Sequence, residues 1–175
     1  YSFWTFSDLF EEQGQFAAPF HGGFGLQTIY GIPKPTYRVF EFLHHLGDRR
    51  IPVEGGAGST VEMLAVRGEA GLTLLAYNHN IPGGEIGTEE VAVTVKGARP
   101  GVPVSITRVD QDHANPKRRW IELGSPEYPA PAQLVEIERA SIPVEQALVP
   151  ETVEGGCVVR FSLPPHGVAA IRVRE

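Results

Sequence analysis

The chain has 175 residues, 42% hydrophobic and 21% charged, a balance that excludes disordered and fibrous classes. Its 21 acidic and 15 basic side chains leave a formal charge of −6. With the basic residues scattered except at 116–119, no nucleic-acid footprint is present. The single cysteine, Cys157, excludes an intrachain disulfide framework and suits a reducing compartment, so a cytoplasmic location is expected over a periplasmic or secreted one.

Residues 2–6, SFWTF, form a short apolar run with aromatic and β-branched members, the pattern of a strand buried on both faces in a parallel sheet. Residues 7–34 then hold five glycines and no period, which predicts one long loop; loops of that length are usually functional. At 35–46 the apolar residues Val39, Phe40, Leu43 and Leu46 recur at helical spacing, with Pro33 and Pro35 ahead and Gly47 behind, and predict an amphipathic helix. The stretch 47–60 turns glycine-rich and charged, which sets a boundary between residues 1–50 and 51–175.

Beyond that boundary the period falls from 3.6 to 2. VEMLAVRG at 61–68, LTLLAYNHN at 72–80, EEVAVTVKG at 89–97 and VPVSITRVD at 102–110 alternate or nearly so, as do CVVRFSLP at 157–164 and VAAIRVRE at 168–175. Six or seven such strands predict an antiparallel β-sandwich. Residues 113–141 interrupt the rhythm, and Pro131 ahead of Leu134, Val135 and Ile137 predicts a short helix at 131–141. The fold class is mainly β, with no apolar run of the ~18 residues that a membrane span needs. The N-terminus also lacks the basic-then-apolar order of a signal peptide.

Few residues suggest chemistry. GGFG at 22–25 lacks the G-x-G-x-x-G spacing of a dinucleotide loop. His44 and His45 are adjacent, so they do not share a helix face, and the other histidines are dispersed; no metal site and no cofactor is expected. Cys157, in a strand pattern, reads as a small buried hydrophobe. The paired carboxylates Glu11 and Glu12 stand out beside Trp4, Phe6 and Phe10. Carboxylates accept paired hydrogen bonds from sugar hydroxyls, and an aromatic face stacks on a pyranose; a solvated acidic turn beside core aromatics is the alternative.

SFWTFSDLFEEQGQ, followed by PFHGGFGLQTIYGIPKPTYRVFEFLHHLG, closely resembles the eighth strand, its βα loop and the last helix of the catalytic barrel of glycoside hydrolase family 39, the β-xylosidases. NPKRRWIELGSPEYPAPAQL and FSLPPHGVAAIRV resemble the accessory β-sandwich that follows that barrel. The resemblance implies that residues 1–50 are the last β/α unit of a (β/α)8 TIM barrel. It implies that 51–175 are the sandwich, with a helical excursion near 113–141. It further implies a retaining exo-β-1,4-xylosidase acting on xylo-oligosaccharides, with two glutamates ~5–5.5 Å apart around the anomeric carbon.

In the family those glutamates lie on the fourth and seventh strands, the first in an Asn-Glu-Pro context. No Asn-Glu dipeptide occurs in this chain, so the resemblance places no catalytic residue here and makes the N-terminal barrel portion the required partner. The 175-residue chain alone is expected to be inactive. By motif position, Trp4 resembles the aromatic wall of the −1 subsite and Glu11 and Glu12 the carboxylates that hold xylose hydroxyls, with His21 and Phe24 on the same loop. A homo-oligomer is left open. The alternatives are a free-standing β-sandwich carbohydrate-binding or interaction module and an α-L-iduronidase-like glycosidase fragment.

Overall fold

The computed structural model describes residues 2–9, 14 and 16–174. The chain divides into two compact units, one of Tyr1–Glu41 with Gln111–Pro143 and the other of Phe42–Asp110 with Val144–Glu175.

In the second unit the alternating segments pair as antiparallel strands. They are β1 (Arg49–Ile51), β2 (Val61–Gly68), β3 (Gly71–Asn78), β4 (Glu89–Lys96) and β5 (Val104–Val109), then, counting the helices separately, β6 (Glu145–Leu148), β7 (Glu151–Val153), β8 (Gly156–Leu163) and β9 (Val168–Val173). Six of them form one sheet in the order β1-β2-β3-β9-β5-β6, and three form another in the order β4-β8-β7. The alternation works as a half-buried strand requires. On β9, Ala169, Ile171 and Val173 are fully buried against Leu72, Leu74 and Ala76 of β3 and Ile106 of β5, in one cluster with Val95, Cys157, Val159, Phe161 and Leu163 of the smaller sheet. This is a mainly β, antiparallel, two-sheet core. Cys157 lies inside it, and burial pushes its thiol pKa up, which keeps it an inert hydrophobe.

Three strands escape the sequence pattern: β1, β6 and β7, of three or four residues each. All three are sheet edges, where burial imposes no long alternation and charge discourages further pairing; Arg49, Arg50, Glu145 and Glu151 supply that charge.

The first unit contains the start of α1 (Pro35–His44) and the helices α2 (Pro116–Glu122) and α3 (Pro131–Ala140). α1 and α3 match the predicted helices within about two residues, although Phe42 rather than Leu43 is the buried residue of α1. α2 was not expected. Asn115 caps it by accepting from the Arg118 N–H at 3.3 Å, and Pro116 stands at its first turn, the usual N-terminal punctuation. The Gln133 side chain caps α3 by accepting from the Ala130 N–H at 2.9 Å. Residues 111–143 cluster with the N-terminal segment and not with the strands that flank them in sequence. One tie is Arg38 of α1, which donates through Nε to the Ser141 carbonyl at 2.8 Å and through a terminal nitrogen to its hydroxyl at 3.0 Å.

The strand expected at 2–6 is not formed. Phe3, Trp4 and Phe6 are 41%, 71% and 62% exposed, and the only ladder contact of the segment among the described residues is an isolated parallel bridge from Ser7 to Gln27. A strand buried on both faces needs a neighbour on each side, and among the described residues 2–6 has only 26–27 beside it. Among those residues no helix is long and apolar enough to cross a membrane.

Asn78, at the end of β3, joins the two sheets. Its Nδ2 donates to the carbonyls of Leu163 in β8 at 3.0 Å and Gly87 at 2.8 Å, and its Oδ1 accepts from Thr60 Oγ1 at 2.6 Å. The side chain is almost wholly buried, so Asn78→Ala leaves interior carbonyls without a donor. We expect a loss of about 2–3 kcal/mol in urea unfolding; a change under about 0.5 kcal/mol would show that water replaces the amide.

Candidate functional site

The loop that carries the sequence-predicted site is organised by one carboxylate. Residues 5–8 run beside 26–27 through three backbone hydrogen bonds, Leu26 N–H to Thr5 O at 3.1 Å, Gln27 N–H to Phe6 O at 3.0 Å and Asp8 N–H to Gln27 O at 2.9 Å. This brings Asp8 inside, where its side chain has no solvent exposure. A buried carboxylate must be compensated by charge and hydrogen bonds. Lys34 Nζ supplies the charge, donating to Oδ1 at 2.7 Å and sitting 2.6 Å from Oδ2, which accepts no hydrogen bond among the described residues. The Gly25 N–H donates to Oδ1 at 2.8 Å. Lys34 also donates to the Gly23 carbonyl at 2.8 Å, which fixes the turn before it.

That arrangement explains two of the three glycines of HGGFG at 21–25. A Cβ on Gly23 would lie 2.5 Å from Asp8 Oδ1, and one on Gly25 would lie 2.4 Å from the Asp8 backbone nitrogen. Neither position can carry a side chain while the loop folds over Asp8. At these two positions glycine serves close approach to a buried charge.

His21 precedes these glycines. Its ring stacks on Phe16 with centroids 4.3 Å apart and planes 13° from parallel, and its side chain is 9% exposed. Nε2 lies 3.8 Å from Asp8 Oδ2 and has no hydrogen-bond partner among the described residues. His21 thus faces inward, toward the same carboxylate as Lys34. The other end of the loop is tied by Thr28, fully buried, whose Oγ1 accepts from the N–H groups of Tyr30 at 3.3 Å and Ile32 at 3.2 Å. Tyr30 donates its hydroxyl to the Ala17 carbonyl at 2.9 Å.

Of the sequence-predicted site residues, Trp4 is 71% exposed and Phe24 43%, whereas His21 is turned in. Glu11 and Glu12 lie outside the described residues. Phe6 and Leu9, at 62% and 70% exposure, extend the apolar surface beyond Trp4. Exposed large side chains at such density mark a surface that another surface covers. Among the described residues no group of three or more potential metal ligands is found.

Sequence reasoning missed Asp8 and Lys34. A partial signal was present: no residue from 13 to 33 carries a formal charge, so Lys34 is the first cation to follow Asp8, Glu11 and Glu12. Which of the three acids it meets is not written in the spacing. α2 supports the loop as well, because Trp120 packs on Phe20 with centroids 5.6 Å apart and donates its indole N–H to the Pro126 carbonyl at 3.0 Å. Arg119 bonds Glu136 of α3 and Glu122, contacts that raise its pKa, chiefly through Glu136; exposed as they are, such pairs add little stability.

Comparison with known proteins places these features in a lineage. The family model described as glycosyl hydrolases family 39 matches residues 1–157. A β-xylosidase of Caldicellulosiruptor saccharolyticus is 43% identical over 182 aligned positions, which cover 100% of this chain and 36% of that protein. A β-xylosidase of Geobacillus stearothermophilus is 35% identical over 131 positions, 74% of this chain and 25% of that protein. The crystal structure of a monomeric β-xylosidase from Caulobacter crescentus superimposes with a TM-score of 0.80 at 27% identity, over 99% of this chain and 37% of that one. The chain therefore spans about a third or less of the length of the curated relatives it matches.

The close approach at Gly25 yields a test. Gly25→Ala forces a methyl into the Asp8 backbone and is expected to destabilise the protein by about 1–3 kcal/mol in denaturant titration followed by tryptophan fluorescence. A neutral result would show that the loop does not fold over Asp8.

Proposed function

The chain belongs to glycosyl hydrolases family 39, and from that premise we propose that it is the C-terminal portion of a retaining exo-β-1,4-xylosidase, supplying part of the −1 subsite. The observation that carries the reading is the end-to-end likeness to a β-xylosidase of which the chain covers only 36%. Residues 1–50 are then the last β/α unit of a (β/α)8 barrel and the antiparallel sheets of 51–175 its accessory sandwich. The exposure of Phe3, Trp4, Phe6 and Leu9 and the parallel bridge of Ser7 to Gln27 support this. They fit a segment that pairs and packs with the preceding part of the barrel, its partner in the whole enzyme.

A retaining glycosidase needs two carboxyl groups ~5–5.5 Å apart, one to protonate the leaving oxygen and one to attack the anomeric carbon. Glu11 and Glu12 are sequence neighbours on one loop and cannot flank a sugar in that way, so both catalytic glutamates are assigned outside this chain. Their role is to accept hydrogen bonds from the sugar hydroxyls, while Trp4 presents a ring to its apolar face. Such contacts speed the reaction by fixing orientation and by strengthening as the ring flattens toward the transition state. A neutral pentose suits this loop better than a uronide. Lys34 is the first lysine or arginine of the chain, and its ammonium is held by Asp8 and the Gly23 carbonyl, which leaves it poorly placed to meet a substrate carboxylate.

Two measurements test the reading. The purified 175-residue chain should not turn over an aryl β-xyloside, whereas the complete gene product should; clear turnover by the short chain would overturn the assignment of the catalytic pair. In the complete protein, Glu12→Arg should lower kcat/KM on that substrate by about 100-fold, and an unchanged value would remove Glu12 from the sugar contact.

A further inference from the structure

The buried carboxylate at the base of the loop has no part in the glycosidase chemistry described above, and its geometry points to a second role. We propose that Asp8, Lys34 and His21 are positioning residues, a clasp that fixes residues 5–8 against 23–27 and thereby sets the direction in which Trp4 and Phe24, next to those stretches, meet the sugar. The proposal rests on the xylosidase reading, which places Trp4 in the sugar subsite.

The clasp joins points far apart along the chain. Asp8 is bound to the Gly25 N–H across 17 positions and to Lys34 across 26. Lys34 in turn holds the Gly23 carbonyl, so the chain leaving Asp8 and the chain returning at Gly23 are fixed to the same two side chains. His21 brings a third fixed point. Its ring lies flat on Phe16 with Nε2 directed at Asp8 Oδ2, so the returning limb of the loop is oriented by the same carboxylate.

The chemistry of the clasp favours positioning over simple stabilisation. An ion pair whose carboxylate is fully buried and whose ammonium is largely so is offset by desolvation and adds little net stability, but it strongly disfavours every arrangement that leaves the carboxylate unpaired. What it confers is a single arrangement of the chain around Asp8. Binding groups must be held within fractions of an ångström of their productive position, and a loop needs such a supporting set more than a helix or strand does.

Asp8→Asn is the informative variant, because an amide oxygen can still accept from the Gly25 N–H while the pairing with Lys34 is lost. In the complete protein assayed on an aryl β-xyloside, KM should rise at least about tenfold and kcat should fall as well, because contacts that strengthen in the transition state are misplaced; a smaller folded fraction would lower kcat alone. Lys34→Met should behave alike, and Lys34→Arg should recover most of the wild-type KM. In parallel, chymotryptic cleavage within residues 9–22 should accelerate at least about tenfold in Asp8→Asn relative to cleavage elsewhere in the same protein. Unchanged cleavage overturns the clasp, whatever the enzyme assay shows. Faster cleavage with an unaltered KM overturns the link to sugar binding. An inactive wild-type protein sinks the xylosidase reading, and the cleavage rates then still decide whether the clasp exists.

Discussion

The burial of Asp8 constrains the whole N-terminal segment. A carboxylate without solvent exposure must find a cation and donors inside the protein. That requirement draws in Lys34, fixes the Gly23 carbonyl, forces Gly25 to present its N–H at close range and turns His21 inward. It also dictates composition, since the space a Cβ would need at positions 23 and 25 is filled by Asp8. Residues 5–8 and 23–32 thus adopt a defined geometry without forming a helix or a strand ladder, with 5–8 bonded to 26–27 and the N–H groups of Tyr30 and Ile32 to Thr28.

The sandwich is governed by a different constraint, the apolar face shared by its two sheets. β9 lies in the middle of the larger sheet, paired with β3 on one side and β5 on the other, so the last strand of the chain completes the sheet that strands far earlier in sequence began. Its alternate residues are fully buried, and a register slip of one residue would turn that face to solvent. Asn78 adds a polar fixture, linking β3 to the end of β8 by hydrogen bonds that apolar packing could not provide.

How much of this was legible depended on how far each element's own residues determine it. The long strands and the helices at 35 and 131 were legible because burial of one face prints a period on the sequence. α2 was not, although Asn115 and Pro116 carry its start signal, because Trp120 among charged residues gives no apolar stripe. The edge strands β1, β6 and β7 were too short and too exposed to print a period. At 2–6 the reverse happened: aromatic and β-branched residues spelled a buried strand, and the described structure leaves them exposed, since a strand of that kind exists only between two others.

By itself, then, the sequence determined the mainly β class, the positions of the long strands, the family and the aromatic and acidic character of the loop, all of which depend on residue type and spacing. Only the tertiary structure decided that Asp8 meets Lys34, that His21 faces that pair, that residues 111–143 cluster with the N-terminal segment and that β9 lies at the centre of its sheet. These are contacts between residues distant in sequence. No local pattern encodes them, because their energies arise only when burial removes water from both partners at once.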